Sequence, residues 1–208
     1  MKRTAIFRSA AVVWLSLIGI GLSFLWSYES APGAAATPPS HWPTESVIKP
    51  APGRDTLVML AHPQCPCTQA SLEELDKLMA HCQGRLDVYV VVTRPAGFSD
   101  DWAKASLWRR AAAIPGVHVL IDLEGVEAKR FHAATSGQVV LYGTDGRLLF
   151  SGGITASRGH VGDSFGKSAI ESLVKSSSAN DERSPVFGCP LFNPDSECRK
   201  GSYEEIGN

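Results

Sequence analysis

The sequence predicts an α/β domain, a mixed β-sheet flanked by helices, preceded by one N-terminal transmembrane helix. Two observations predict the domain. Apolar, strand-like runs alternate with helical patterns along residues 55–176, and a turn signal at 144–147 (Thr-Asp-Gly-Arg) joins the last two runs as a hairpin. The third observation is an apolar run without charges near the N-terminus, which predicts the membrane helix.

A basic head, residues 1–9, precedes that run, and the positive charge favours a cytoplasmic N-terminus. The anchor is predicted at 10–28, where Trp26 and Tyr28 suit the far membrane interface. A cleaved signal peptide is the alternative, with the alanines at 34–36 as the processing site. Either reading exports the rest of the chain, so its thiols would work in an oxidising compartment.

Residues 29–54 have the Pro- and Ala-rich composition of a linker, which we interpret as an inert spacer between membrane and domain. Residues 177–208 form a polar linker and a cysteine-containing tail. The net charge of −1 excludes a basic nucleic-acid-binding surface.

Each element of the domain follows from local pattern. The run 56–61 is apolar and strand-like, and 68–82 has leucines at helical spacing and ends before Gly84. The near-continuous apolar run 86–93 is typical of a central parallel strand.

The second half alternates in the same way. A helix at 100–113 is stopped by Pro-Gly, a short strand follows at 117–122, and a further helix is expected at 125–134. The hairpin strands are 138–142 and 148–152, and a closing helix at 164–175 begins after Ser164 as its N-cap. The predicted order is β-α-β-α-β-α-β-β-α, which favours a largely parallel sheet with an antiparallel edge.

The chemistry is concentrated at Cys65-Pro66-Cys67, where the first strand passes into the first helix of the domain. A helix N-terminus favours thiolate, and proline is well tolerated at the first helical position. We expect Cys65 near the N-cap, more exposed than Cys67, as the attacking thiolate, with Cys67 as the resolving thiol. A disulfide between them would close a small, strained ring with a high reduction potential.

The succession of elements resembles the thioredoxin fold, specifically the membrane-anchored TlpA/ResA-type thiol–disulfide oxidoreductases, over roughly residues 45–176. The extra helix and strand at 100–122 and the segment 138–150 carry this resemblance. A subgroup called RedB-like also has a His-Pro-x-Cys-Pro-Cys stretch, here residues 62–67, and a Gly-rich segment like 151–155. The resemblance implies exchange with protein thiols or disulfides outside the cytoplasm.

Two positions depart from the family pattern. The family has Cys-x-x-Cys, so Gln64 occupies the position of its nucleophile if Cys67 matches the second cysteine. Gly137, after Ser136, stands where the family has a cis-proline that faces the active site. The resemblance also implies that Arg158 and His160 lie in a loop that borders the active-site groove.

Two other functions remain open from the sequence. Cys65, Cys67 and His62 are a soft donor set that suits Cu(I), which would make the domain a copper-binding or metallochaperone-like module. The two departures from the family pattern would also suit a non-catalytic structural domain. In the redox interpretation no cofactor is required, and His62 would tune the thiolate.

The remaining cysteines allow more than one pairing. Cys82, at the end of an amphipathic helix, is expected to be a packed thiol. Cys189 would form a local disulfide with Cys198 or, since apolar residues flank it, fold back to the Cys65 and Cys67 site as a third redox thiol.

Overall fold

The computed structural model describes residues 2–82, 84–104, 106–176 and 182–192. Its helices and strands, in chain order, are α1 Lys2–Ser30, β1 Asp55–Ala61, α2 Pro66–His81, β2 Leu86–Arg94, α3 Asp100–Ala103, α4 Ser106–Ala113, β3 Val117–Leu123, α5 Val126–Arg130, β4 Gln138–Tyr142, β5 Leu148–Gly152, α6 Phe165–Ser176 and β6 Glu182–Arg183.

The strands form one six-stranded mixed sheet in the order β3-β2-β1-β4-β5-β6. Strands β1, β2 and β3 are parallel, β4 is antiparallel to β1, and β5 is antiparallel to β4. The predicted hairpin is confirmed, since the Gly143 N–H donates to Arg147 O at 2.9 Å. The short strand β6, which the sequence did not predict, pairs in parallel with β5.

Both faces of the sheet are covered, which explains the continuous apolar runs of the central strands. Leu57 and Met59 of β1 face the larger core, which α2, α4 and α6 cover. Val58 and Leu60 face the smaller core on the opposite side, beside Phe131. The sheet thereby fixes the carboxyl end of β1, where the Cys-Pro-Cys stretch begins.

Two predicted helices differ from those observed. The predicted helix at 100–113 is two short helices, α3 and α4, and Lys104 ends the first of them. The helix α5 is shorter than predicted at both ends. It begins where the Asp122 carboxylate accepts the N–H groups of Glu127 and Ala128, and His132 follows it with a positive φ of 50°.

The N-terminal helix α1 contains a stretch, Ile6–Ser30, of mean hydropathy 1.9 that is long and apolar enough to cross a membrane. None of its 18-residue apolar window is buried against the domain. The length and composition therefore fit a membrane-spanning helix, and a signal sequence near the N-terminus meets the same criteria.

The segment between α1 and β1 is docked on the domain, unlike the inert spacer that its composition predicts. Ile48 is 2% exposed, and Trp42 packs edge-on against Phe131 and Tyr142 at centroid distances of 5.3 and 5.2 Å. Buried Ser46 donates to the Glu127 carboxylate at 2.5 Å. The prolines limit backbone freedom, but the aromatic and apolar residues between them supply enough contact area to hold the segment.

Residues 182–192 form a segment that we call the C-terminal arm. It begins as β6 at the sheet edge and then crosses the end of the sheet toward the start of α2. Leu191, 8% exposed, anchors it in the smaller core.

Candidate redox site

Cys65 is the N-cap residue of α2, and Pro66 occupies its first turn, as the sequence predicts. The exposure of the two cysteine side chains is the reverse of what the sequence predicts. Cys65 is 1% exposed and Cys67 is 8% exposed, so Cys65 is the more deeply buried thiol rather than the more accessible one. The reason is the C-terminal arm, which covers Cys65.

The Cys65 sulfur is surrounded by hydrogen-bond donors. The backbone N–H of Cys189 donates to it at 3.5 Å, and the polar groups of Thr68 and the Cys189 thiol lie close enough to favour its charged form. Burial alone would raise the pKa of Cys65, but these interactions outweigh burial and lower the pKa below that of an ordinary thiol. The arrangement therefore stabilises a thiolate at Cys65.

A chain of buried hydroxyls orients the Thr68 donor. The His62 N–H donates to Ser136 Oγ at 2.8 Å, and Ser136 Oγ lies 2.7 Å from Thr68 Oγ1. The chain of hydroxyls therefore holds the Thr68 side chain in place next to Cys65 at the start of α2. Sequence reasoning missed Thr68, although a hydroxyl three residues after the N-cap was a usable signal.

Cys67 lies in the first turn of α2, beside both Cys65 and Arg158. Burial raises the pKa of Cys67, the negative charge of the Cys65 thiolate raises it further, and the Arg158 guanidinium opposes this only in part. Cys65 therefore loses its proton more readily than Cys67.

Arg158 connects the end of α1 with the C-terminal arm beside Cys67. Its Nε donates to Ala31 O at 3.1 Å and its Nη1 donates to Gly188 O at 2.7 Å. The guanidinium also lies 5.1 Å from the Tyr28 ring centroid. Arg158 thus ties the end of α1 to the C-terminal arm and places a positive charge near Cys67.

Cys189 lies against Cys65. This is the placement expected if the tail folds back to the Cys65 and Cys67 site. Burial, its hydrogen bond to Cys65 and the charges of the neighbouring sulfurs raise the pKa of Cys189 to about 12. The alternative pairing with Cys198 lies outside the described residues. The four described cysteines, Cys65, Cys67, Cys82 and Cys189, are free thiols.

Gly137, at the position where the resemblance implies a proline, faces α2. Its φ is +88°, its N–H donates to Leu60 O at 2.8 Å, and an added Cβ would lie 3.0 Å from Ser71 Oγ. Both the left-handed backbone and the close approach favour glycine there.

His62 lines a cavity of about 650 Å³ next to the sulfurs, together with Trp102, Phe98 and Cys189. Burial lowers the pKa of His62, so its ring is neutral at physiological pH. Its Nδ1 lies 3.3 Å from the Gln64 N–H, and its ring packs edge-on against Trp102 at 5.7 Å.

The remaining predicted features are His160, Cys82 and a metal-binding cluster. His160 is exposed, and across the described ranges no hydrogen bond joins its ring to a cysteine. Cys82 is a packed thiol in the larger core, as expected. No cluster of three or more potential metal ligands occurs among the residues that the structure describes.

Two solved structures that are similar to this chain align with TM-scores above 0.5 and support the fold. An uncharacterized conserved protein from Geobacillus kaustophilus aligns with TM-score 0.56 and 17% identity over 80% of this chain and 95% of that one. A hypothetical protein from Sinorhizobium meliloti aligns with TM-score 0.53 and 22% identity over 67% and 79%. A secreted Mycobacterium tuberculosis disulfide oxidoreductase homologous to E. coli DsbE aligns with TM-score 0.43 and 18% identity over 60% and 83%.

No protein-family model matches the chain, and no curated protein sequence matches it. The class of fold is nevertheless plain. The mixed sheet with flanking helices, with a cysteine at the N-cap of the helix that follows its central strand β1, is a thioredoxin-like fold.

Proposed function

We propose that the chain is a membrane-anchored, exported thiol–disulfide oxidoreductase whose attacking group is the Cys65 thiolate. The observation that carries this proposal is the Cys65 sulfur itself. It sits at the N-cap of α2, accepts a hydrogen bond from the Cys189 N–H, and has the thiols of Cys67 and Cys189 beside it. A merely structural thiol has no need of such a set of donors.

The reaction balances within the protein's own thiols. The Cys65 thiolate attacks one sulfur of a substrate disulfide, forms a mixed disulfide and releases a substrate thiolate. A resolving thiol of the chain then attacks Cys65, and its proton passes to the second departing substrate sulfur. The protein loses two electrons and the substrate gains two, and the reverse sequence oxidises a substrate dithiol.

The anchoring and placement follow from α1. We infer that α1 stays in the membrane with its basic head in the cytoplasm, so that the domain is periplasmic or extracytoplasmic. The substrates are then exported proteins with thiols or disulfides, and nucleic acid is not a partner. We also infer kinship with the TlpA/ResA-type group and its RedB-like members.

The test is exchange with glutathione disulfide in the detergent-solubilised full chain. We expect Cys65→Ser to abolish formation of any protein disulfide or glutathione adduct at the site. We expect Cys82→Ala, which removes a packed thiol in the larger core, to leave both intact. Wild-type protein that stays unmodified would contradict the proposal and favour a non-catalytic domain. Tight Cu(I) binding lost in Cys65→Ser, without exchange, would favour the copper-binding alternative.

A further inference from the structure

The C-terminal arm places Cys189 next to Cys65, so the two cysteines can act as one redox pair. We propose that Cys189, rather than Cys67, resolves the mixed disulfide at Cys65, so that the disulfide formed in each cycle is Cys65–Cys189 and the arm moves with it. This inference rests on the proposed function, because it names the second thiol of the same exchange reaction.

The arm is bound across the site by its backbone. The Ser136 N–H donates to Cys189 O at 2.8 Å, and the Leu191 N–H donates to Ala134 O at 2.9 Å. Thr135 and Pro190 form an antiparallel β-bridge between these two bonds. The arm therefore lies as an extended strand along residues 134–136, with Cys189 directly over Cys65.

Glycines provide the space for this close approach. A Cβ on Gly188 would lie inside the van der Waals contact distance of the Ser136 carbonyl oxygen, which is backbone and cannot move aside. A Cβ on Gly153 would lie 2.7 Å from Pro185 O, at the base of the arm. Glycine is therefore required on both sides of this contact, on the arm and on the sheet. The sequence thus allows the arm to pack closely against the end of the sheet.

Geometry separates the two resolving candidates. Cys67 is fixed in the first turn of α2 by the helix backbone, two residues from Cys65. Cys189 lies on a separate segment, 124 residues away in sequence, with its N–H directed at the Cys65 sulfur. A thiol on a separate strand can approach and leave Cys65 without distorting the helix, whereas a Cys65–Cys67 ring must strain it.

The resolving step keeps atoms and electrons in balance. The Cys189 sulfur attacks Cys65 in the mixed disulfide, the bond between Cys65 and the substrate sulfur breaks, and the proton of Cys189 goes to that leaving sulfur. The arm must leave its place to admit the substrate to Cys65, and it returns to bring Cys189 to the mixed disulfide and release the substrate. While the arm is displaced, the Ser136 N–H and the Ala134 carbonyl are free to bind a substrate, which points to an extended protein segment that contains a cysteine.

The arm itself indicates what such a segment needs. Gly188 precedes Cys189 where no side chain fits, and Leu191 follows it in the smaller core. We therefore expect substrates with a small residue before the reactive cysteine and an apolar residue shortly after it.

The experiment maps disulfides in the full chain after mild oxidation with glutathione disulfide, using alkylation at low pH and peptide mass spectrometry. We expect a Cys65–Cys189 peptide, its loss in Cys189→Ser, and its persistence in Cys67→Ser and in Cys198→Ser. In Cys189→Ser the Cys65–glutathione adduct should accumulate, whereas in Cys67→Ser it should be released as in the wild type.

The outcomes separate this inference from the function on which it rests. A Cys65–Cys67 disulfide, or a Cys189–Cys198 disulfide alone, would overturn the role of Cys189 while Cys65 still exchanges. An absence of any reaction at Cys65 would instead overturn the proposed function. The wild-type mapping needs no variant, so a poorly folding Cys189→Ser protein would leave the inference decidable.

Discussion

The backbone N–H of Cys189 lies 3.5 Å from the sulfur of Cys65 and donates a hydrogen bond to it. One residue of the C-terminal arm therefore both covers the candidate nucleophile and stabilises its thiolate. Reactivity and access are coupled, because displacement of the arm exposes Cys65 and removes donors from it at the same time.

Thr68→Val should raise the pKa of Cys65, because it removes a hydroxyl that favours the thiolate. A hydrogen bond to a charged group contributes about 1.5–3 kcal/mol, so the upward shift should be large enough to measure. The pH dependence of Cys65 alkylation, read by mass spectrometry, measures the shift. The control Thr44→Val changes an exposed position and should leave the pH profile of Cys65 alkylation unchanged. An unshifted profile in Thr68→Val would show that the Thr68 hydroxyl does not influence Cys65.

Gly188→Val should displace the C-terminal arm, because its side chain would overlap the Ser136 carbonyl. The rate at which N-ethylmaleimide modifies Cys65 should then rise, since the cover of a sulfur that is 1% exposed is removed. Pro185→Ala, an exposed position in the same arm, should react like the wild type. Equal rates in all three proteins would show that the arm does not limit access.

Arg158→Gln should raise the pKa of Cys67 further, because the positive charge that opposes burial and the Cys65 thiolate is lost. It also removes the donor to Gly188 O, so the arm should be held less tightly. Alkylation of Cys67 against pH should show the upward shift, and the exposed Arg109→Gln serves as the matched control. A downward shift would contradict the assigned electrostatics.

Lys167→Met should destabilise the domain, because Lys167 Nζ pairs with the fully buried Glu74 carboxylate at 2.6 Å. Breaking a buried pair costs about 3–5 kcal/mol, and the lower end is expected since Lys77 remains 2.7 Å from Glu74. Urea unfolding followed by tryptophan fluorescence measures the free energy of unfolding. Recovery in a Glu74→Leu/Lys167→Met double variant would confirm that the uncompensated charge is the cause.

The same pair gives a pH dependence of stability. Burial alone would raise the pKa of Glu74, but the hydrogen bonds and charges of its lysine partners lower it, so its stabilisation is present above the usual glutamate pKa. This contribution is lost as pH falls through the depressed folded value. The pKa of Lys167 is raised, chiefly by its hydrogen bond to Glu74, so its contribution is lost only as pH rises beyond the ordinary lysine range. The Glu74→Leu/Lys167→Met variant should lack both dependences.

Local rules predicted much of this structure from sequence. Pro66 at the first helical position placed Cys65 at the N-cap, and the Asp145-Gly146 pair placed the hairpin. The periods of apolar residues in β1, α2 and β2 likewise gave their types, because each of these elements is decided by short-range pattern and burial on a sheet.

The predictions that were wrong concern features that depend on long-range contacts. The burial of Cys65 comes from Cys189, and the docking of residues 31–48 comes from Phe131 and Tyr142 on distant elements. Composition alone marked both segments as linker or tail. Only the apolar flanks of Cys189 indicated that its segment would pack.

The redox role of Cys65 is best tested by a redox titration of the full chain against glutathione or dithiothreitol buffers, with the state of Cys65 followed by alkylation and mass spectrometry. Interactions that stabilise the Cys65 thiolate favour the reduced form, so we expect a reversible two-electron couple at Cys65 with a potential above the about −270 mV of thioredoxin. A Cys65 that remains a free thiol at the oxidising end, or a couple well below that value, would contradict it.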